Sequence, residues 1–186
     1  MLKVIEQFVS IQGEGGKSGT AMQFIRLAGC NLSCPYCDTN YARSGGVLMS
    51  EEEILEKCND TVSWICLTGG EPLIQDVRRL VYLLHERGYL VALETNGTQP
   101  IPEIFDHVVV SPKRDTDLNI TARMLADEWK YIIQDDSDFE RIEYEANVFL
   151  QPVDNNMDIA RKCVEEMEEN PGWRLSLQLH KLIGIR

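Results

Sequence analysis

Apolar residues recur along this chain in short runs, separated by longer stretches in which they return every three or four positions. Six runs, Met22–Leu27, Trp64–Thr68, Leu90–Thr95, His107–Ser111, Trp129–Ile133 and Asn147–Gln151, are rich in β-branched, aromatic or other apolar residues and predict strands. Between them, Ser50-Glu51-Glu52-Glu53 opens a helix with a capping box, a Ser followed three residues later by Glu. Pro72 to Arg87 carries Leu73, Val77, Leu80, Val81 and Leu84 at the helical period, and Gly88 supplies a stop. Asn156 to Glu169 predicts another helix, ended by Pro171-Gly172. Val4–Val9 and Trp173–Leu179 predict further strands towards the two ends.

Alternating strands and helices imply parallel strands joined by crossovers. At 186 residues the chain is short of the roughly 250 that a complete eight-fold βα barrel needs, whereas six βα units fit. An open, doubly wound sheet gives the same alternation. The unusual residues stand just after strand ends: Gly29-Cys30, Gly69-Gly70-Glu71, Asn96-Gly97, Pro112-Lys113, and Pro152 with Asp154. Parallel α/β proteins gather their sites at those ends, and several loops contributing together lean toward a barrel-like wall. No repeat, low-complexity tract or linker interrupts the pattern, so residues 1–186 are expected to form a single domain.

Composition narrows the function classes. An apolar share of 44% is that of an ordinary globular protein, and no run approaches the 18 or so apolar residues of a membrane span. With 18 Lys and Arg against 30 Asp and Glu, the net charge of −12 repels phosphate backbones, which argues against nucleic-acid and membrane-surface partners. Anionic small molecules stay open if the few basic residues converge. Met1 to Glu6 lacks the basic flank, apolar stretch and cleavage site of a secretory signal, so a cytoplasmic location with reduced thiols is expected.

The strongest chemical signal is Cys30-Asn31-Leu32-Ser33-Cys34-Pro35-Tyr36-Cys37. Three thiolates in one short loop can wrap a soft metal centre: zinc, copper(I) or an iron–sulfur cluster. Structural zinc asks for four closed ligands, and no His or fourth Cys stands nearby. A four-iron cluster held by only three Cys keeps one iron open to a ligand. Cys58, Cys66 and Cys163 fall within predicted elements and are expected to be core thiols.

This CxxxCxxC loop resembles that of the radical S-adenosylmethionine superfamily, as does Thr68-Gly69-Gly70-Glu71-Pro72 after a predicted strand. The resemblance implies a partial (β/α)6-type barrel with shortened helical elements. It also implies that Cys30, Cys34 and Cys37 hold a [4Fe-4S] cluster whose fourth iron takes S-adenosylmethionine, the source of a 5′-deoxyadenosyl radical. Further segments resemble one family within it, the 7-carboxy-7-deazaguanine synthases (the QueE family): Ser10–Gly15, Phe24–Leu32, Cys37–Thr39, Glu94–Gly97, Ser111–Lys113, Gln151–Asp154 and Arg174–Lys181. That family implies ring contraction of 6-carboxy-5,6,7,8-tetrahydropterin with loss of ammonia, begun by hydrogen abstraction at C6. It further implies Mg²⁺, an electron donor of flavodoxin or ferredoxin type, and a homodimer.

Matched position by position, the family places Ile11, Gln12, Gly13, Glu14, Arg26 and Thr68 against the pterin. His180 and the α-carboxylate of Arg186 are expected to face it from the C-terminal segment. Tyr36, Cys37, Asp38, Gly70, Glu71, Ser111, Pro112, Lys113, Gln151, Pro152, Val153 and Asp154 are expected around S-adenosylmethionine, with Glu71 accepting the methionine ammonium. Thr39 is expected to ligate Mg²⁺, a hard ion that takes few protein oxygens. Two rivals share the Cys loop: a glycyl-radical activating enzyme and a zinc-binding interaction module. The first gives no reason for Gln12-Gly13-Glu14 or for the Gln178–Lys181 segment, and the second leaves the strand-end motifs unexplained.

Overall fold

The computed structural model describes residues 1–144 and 146–186. The strands are β1 (Leu2–Ile11), β2 (Ala21–Leu27), β3 (Val47–Met49), β4 (Trp64–Gly69), β5 (Leu90–Thr95), β6 (His107–Val110), β7 (Glu128–Ile133), β8 (Val148–Pro152) and β9 (Trp173–Leu175). They form one sheet in the order β3-β1-β2-β4-β5-β6-β7-β8-β9. From β2 to β9 every pairing is parallel, and β1 and β3 add an antiparallel edge. The sheet is not closed: β3 and β9 are its two ends. It curls as a partial barrel, which decides between the two architectures that the alternation left open.

The helices of the outer face are short, α1 (Glu51–Glu56), α2 (Arg78–Glu86), α3 (Ile120–Leu125) and α4 (Met157–Glu169), and a final turn α5 (Leu179–Leu182) lies against the hairpin and the cavity instead. Period-two alternation sorts each strand between two faces. Ile25, Leu27, Ile65, Leu67 and Val91 pack outward against α1 and α2. Val108, Val110, Tyr131, Ile133, Val148 and Leu150 pack outward in the neighbouring cluster that includes Cys163 of α4. The alternate residues, including Arg26, Thr68, Glu94, Lys130 and Gln151, line the concave interior.

The predicted helix over Pro72–Arg87 is divided. Pro72–Ile74 is a single 3-10 turn, Gln75 is extended, and α2 begins at Arg78. The break has a cause in Gln75, whose side-chain amide donates to the carbonyls of Lys3 and Ala28 and accepts from Lys3 N. The predicted strand Trp173–Leu179 stops at Leu175, because Ser176 and Gln178 turn into the interior and are buried there. The capping box at Ser50 is present, with Ser50 Oγ accepting from Glu53 N and Glu53 accepting from Ser50 N. Cys66 and Cys163 are buried, whereas Cys58 lies just past α1 and is half-buried.

The hairpin between β1 and β2 closes the floor of the barrel. Gly16 N donates to Glu128 at the start of β7, and Lys17 Nζ lies 4.0 Å over the ring of Trp64 at the start of β4. Gly15 N donates to Ser176 Oγ, and Leu179 N donates to Gly13 O, so the chain beyond β9 packs on the same hairpin. Beyond β7 the turn Asp136–Arg141 is tied down by Asp138, which is fully buried and accepts from Arg114, Arg141 and Gln134 N. Burial raises the Asp138 carboxyl, but the two guanidiniums and the backbone donor outweigh it and hold the group below the usual range.

A depressed folded-state pKa gives stability that is present above the ordinary carboxylate value and lost as pH falls through the folded one. Asp138→Asn should therefore cost about 2–3 kcal/mol at neutral pH, less than a fully buried pair because the guanidiniums are partly exposed. Urea unfolding at pH 7 and again near pH 3 checks this, the difference shrinking at the lower pH.

Candidate active site

The three cysteines of the loop after β2 line the mouth of the interior cavity. Cys30 Sγ accepts from Leu32 N at 3.4 Å, and Cys37 Sγ lies 3.7 Å from Thr39 Oγ1. Burial raises the Cys30 thiol, and the nearby Glu71, Cys34 and Cys37 add to this, so a bound metal centre is what would favour Cys30 as a thiolate. Among the described residues no three Cys, His, Asp or Glu side chains converge closely enough for a single metal ion. Three half-buried thiols around one opening fit the corners of a polynuclear cluster instead.

Glycines set the position of this loop. A Cβ on Gly70 would lie 2.1 Å from Gly29 O and 2.8 Å from Cys30 Cβ, and a Cβ on Gly69 would lie 2.1 Å from Leu27 O. Gly70 N donates to Leu27 O, and Glu71 N donates to Gly29 O. The ends of β2 and β4 are thus in backbone contact, and the first cysteine sits on that contact.

Glu71 differs from the expectation. It does not line the cavity; it is fully buried, and its carboxylate accepts from Thr95 Oγ1 (2.8 Å), Asn96 N (2.7 Å) and Leu73 N (3.1 Å). A fully buried carboxylate that already accepts three donors from the chain and does not reach the cavity wall is not placed to take a methionine ammonium. It acts as a strut joining the ends of β4 and β5, and Asn96 Nδ2 carries the link on to Asn31 Oδ1 in the cysteine loop. Pro112 also stands away from the cavity, its carbonyl accepting from Arg141, although its neighbours Ser111 and Lys113 line it.

The structure brings the other expected residues together. Ile11, Gln12, Gly13, Glu14, Arg26, Tyr36, Asp38, Thr39, Thr68, Gly70, Gln151, Pro152, Val153, Asp154, His180 and Arg186 all border the one cavity. Arg26 Nε is engaged by Glu6 at 2.7 Å, and its guanidinium lies 5.9 Å from the Phe8 ring and 5.8 Å from that of Tyr41. Arg186 is drawn in by Glu6 and by Ser10 Oγ, which donates to its carbonyl. The His180 ring rests directly on Gly13, where a Cβ would meet it. Asp154 and Asn155 adopt left-handed backbone after β8, a conformation Asp and Asn tolerate, which turns that loop over the cavity.

Lys130 and Glu6 escape the sequence reading, which named Glu94 and Gln178 only as members of family-like segments without a contact of their own. Lys130 of β7 is buried with Nζ 2.6 Å from Glu14 and 2.7 Å from Glu94. Gln178 Nε2 donates to Glu14 and to Asp38, and Glu6 pairs with Arg26. Burial raises the Glu14 carboxyl, but the Lys130 ammonium reverses this and holds it at about 2, so Glu14 is ionised at any neutral pH. In Glu94 burial prevails over Lys130 and the carboxyl is pushed up. The signal that marks Lys130 and Glu94 is a charge at the centre of an apolar strand whose two faces are covered.

A partial barrel with an open three-thiolate loop at the strand ends defines a radical S-adenosylmethionine protein, and residues 24–143 match the family described as the Radical SAM superfamily. A 7-carboxy-7-deazaguanine synthase of Bacteroides thetaiotaomicron is 45% identical over 100% of both chains, and one of Methanospirillum hungatei is 35% identical over 99% of this chain and 86% of its own. A crystal structure of QueE from Escherichia coli superposes with a TM-score of 0.82 at 28% identity, covering 96% of this chain and 94% of that one. The chain belongs to the 7-carboxy-7-deazaguanine synthase family. As a radical S-adenosylmethionine protein it takes a [4Fe-4S] cluster and S-adenosylmethionine.

Glu71→Ala should leave three buried donors unpaired, cost about 1–3 kcal/mol, and lower the iron retained after cluster reconstitution. Thermal unfolding and iron analysis check both effects. Were Glu71 a direct ligand of the cosubstrate, stability and iron content would stay native and only cosubstrate binding would fall.

Proposed function

We propose that the chain converts 6-carboxy-5,6,7,8-tetrahydropterin to 7-carboxy-7-deazaguanine with loss of ammonia. The observation that carries the reading is one cavity whose mouth is ringed by three thiols and whose floor is built from amides and carboxylates. When bound, the cluster and S-adenosylmethionine supply a carbon-centred radical able to abstract hydrogen from an unactivated position. The residues of the chain bind, orient and shield the substrate.

Glu14 and Gln12, on the hairpin, and Glu94, on β5, offer acceptors and an amide to the mixed donor and acceptor edge of a pterin. Arg26 keeps part of its guanidinium for the substrate carboxylate once Glu6 has fixed its Nε. Thr68, His180 and Arg186 complete this side. Lys113, whose ammonium donates to Ser111 Oγ, and the stretch Gln151–Asp154 line the side nearer the cosubstrate, with Tyr36, Asp38 and Gly70. Thr39 would give one hydroxyl oxygen to Mg²⁺, the remaining positions being filled by substrate oxygens and water. Phe8, Phe24 and Ile132 give the cavity apolar walls that exclude water from a reactive intermediate.

That all nine strands lie in one sheet supports reading residues 1–186 as a single domain. A reductant is required by the superfamily's chemistry; its flavodoxin or ferredoxin type, and a homodimer, belong to the proposal. No helix among the described residues is long and apolar enough to cross a membrane, and the cytoplasmic location is likewise proposed.

Anaerobic protein with reconstituted cluster, given S-adenosylmethionine, reductant, Mg²⁺ and 6-carboxytetrahydropterin, should yield 7-carboxy-7-deazaguanine by mass spectrometry. Formation of 5′-deoxyadenosine without the deazaguanine would overturn the substrate. Thr39→Ala should lower turnover and weaken its dependence on Mg²⁺ while leaving iron content native; loss of the cluster in that variant would make Thr39 structural.

A further inference from the structure

Five side chains from four parts of the chain form one buried ladder across the cavity floor: Gln178–Glu14–Lys130–Glu94–Gln12. Its contacts are 2.7, 2.6, 2.7 and 3.0 Å in that order. Lys130 is its centre, 5% exposed, and its ammonium has a carboxylate on either side. A buried cation between two largely buried anions is opposed by desolvation and held by their charge: removing it leaves two carboxylates facing each other where neither is well hydrated. The same ladder reaches the cluster loop, because Gln178 also donates to Asp38, next to Cys37.

We propose that Lys130 is a positioning residue for substrate recognition, keeping Glu14 an acceptor-only carboxylate with Glu94 at its side, matched to a ring edge that presents N–H donors. This rests on the pterin reading above. A protonated Glu14 would present a hydroxyl donor to the N–H groups of the 2-amino-4-oxo edge, so the cation decides whether the floor accepts or repels that edge. Removal of Lys130 should therefore add to substrate binding a pH dependence that the native profile lacks. The other charged or titratable groups facing this pair are Arg26 of β2, Cys66 of β4, Lys113 after β6, Glu128 of β7, and His180 and Asp38. His180 titrates in every variant, so the difference between native and variant profiles is the readout.

The probe is pterin-6-carboxylate, titrated by fluorescence into cluster-loaded protein between pH 5.5 and 9. Lys130→Met should bind it more weakly as pH falls, by up to about tenfold per unit once below the raised carboxyl pKa. Lys130→Arg should restore the native profile. If Lys130→Met does not fold, Lys130→Met/Glu94→Gln removes the repulsion and should still show the pH dependence, since Glu14 is then buried without its cation. A Lys130→Met profile, or in its place the double variant's, parallel to the native one overturns the role of Lys130. Failure of the native protein to bind the pterin overturns the substrate reading and this proposal with it.

Discussion

The carbonyl of Gly29 lies where the Cβ of any residue other than glycine at position 70 would have to go. On this contact depends everything at the mouth of the barrel. It presses the end of β4 against the end of β2, so the first cysteine of the cluster loop is placed by backbone packing and not by the loop's own conformation. Glu71 locks the arrangement from below, since its two oxygens take the donors of Leu73, Thr95 and Asn96 at once. A loop of eight residues with few internal hydrogen bonds is thereby held from two neighbouring strands.

The interior obeys a second constraint. A sheet covered by helices on its outer face and by a hairpin on its floor leaves its concave residues in contact with solvent only through the mouth of the cavity. Charges placed there must answer one another. Lys130, Glu14 and Glu94 do so, with Gln12 and Gln178 completing the bonds, and the cavity is lined by groups already oriented before any substrate arrives. Short outer helices are compatible with this because both core clusters draw chiefly on the strands themselves.

Much of this was legible from sequence. The strand pattern survives because alternating and continuous apolar runs report burial, which is what the sheet needs. The six internal strands predicted from Met22 to Gln151 are all present. The Cys loop and the positions after strand ends were legible because their chemistry is local in sequence. What was not legible depends on partners far along the chain. Glu71 reads as a ligand until Thr95 and Asn96 are brought to it, and Lys130 reads as one polar residue in an apolar strand until Glu14 and Glu94 meet it. Likewise the break at Gln75 comes from Lys3 and Ala28, and the short β3 from its pairing with β1.

The most direct test of this account is electron paramagnetic resonance of the reduced, reconstituted protein with and without S-adenosylmethionine, in the native chain and in Gly70→Ala. The account predicts a four-iron signal in the native protein whose shape changes when S-adenosylmethionine is added. It predicts a folded Gly70→Ala protein in which that signal is much diminished. A native signal indifferent to S-adenosylmethionine, or a Gly70→Ala signal equal to the native one, would contradict it.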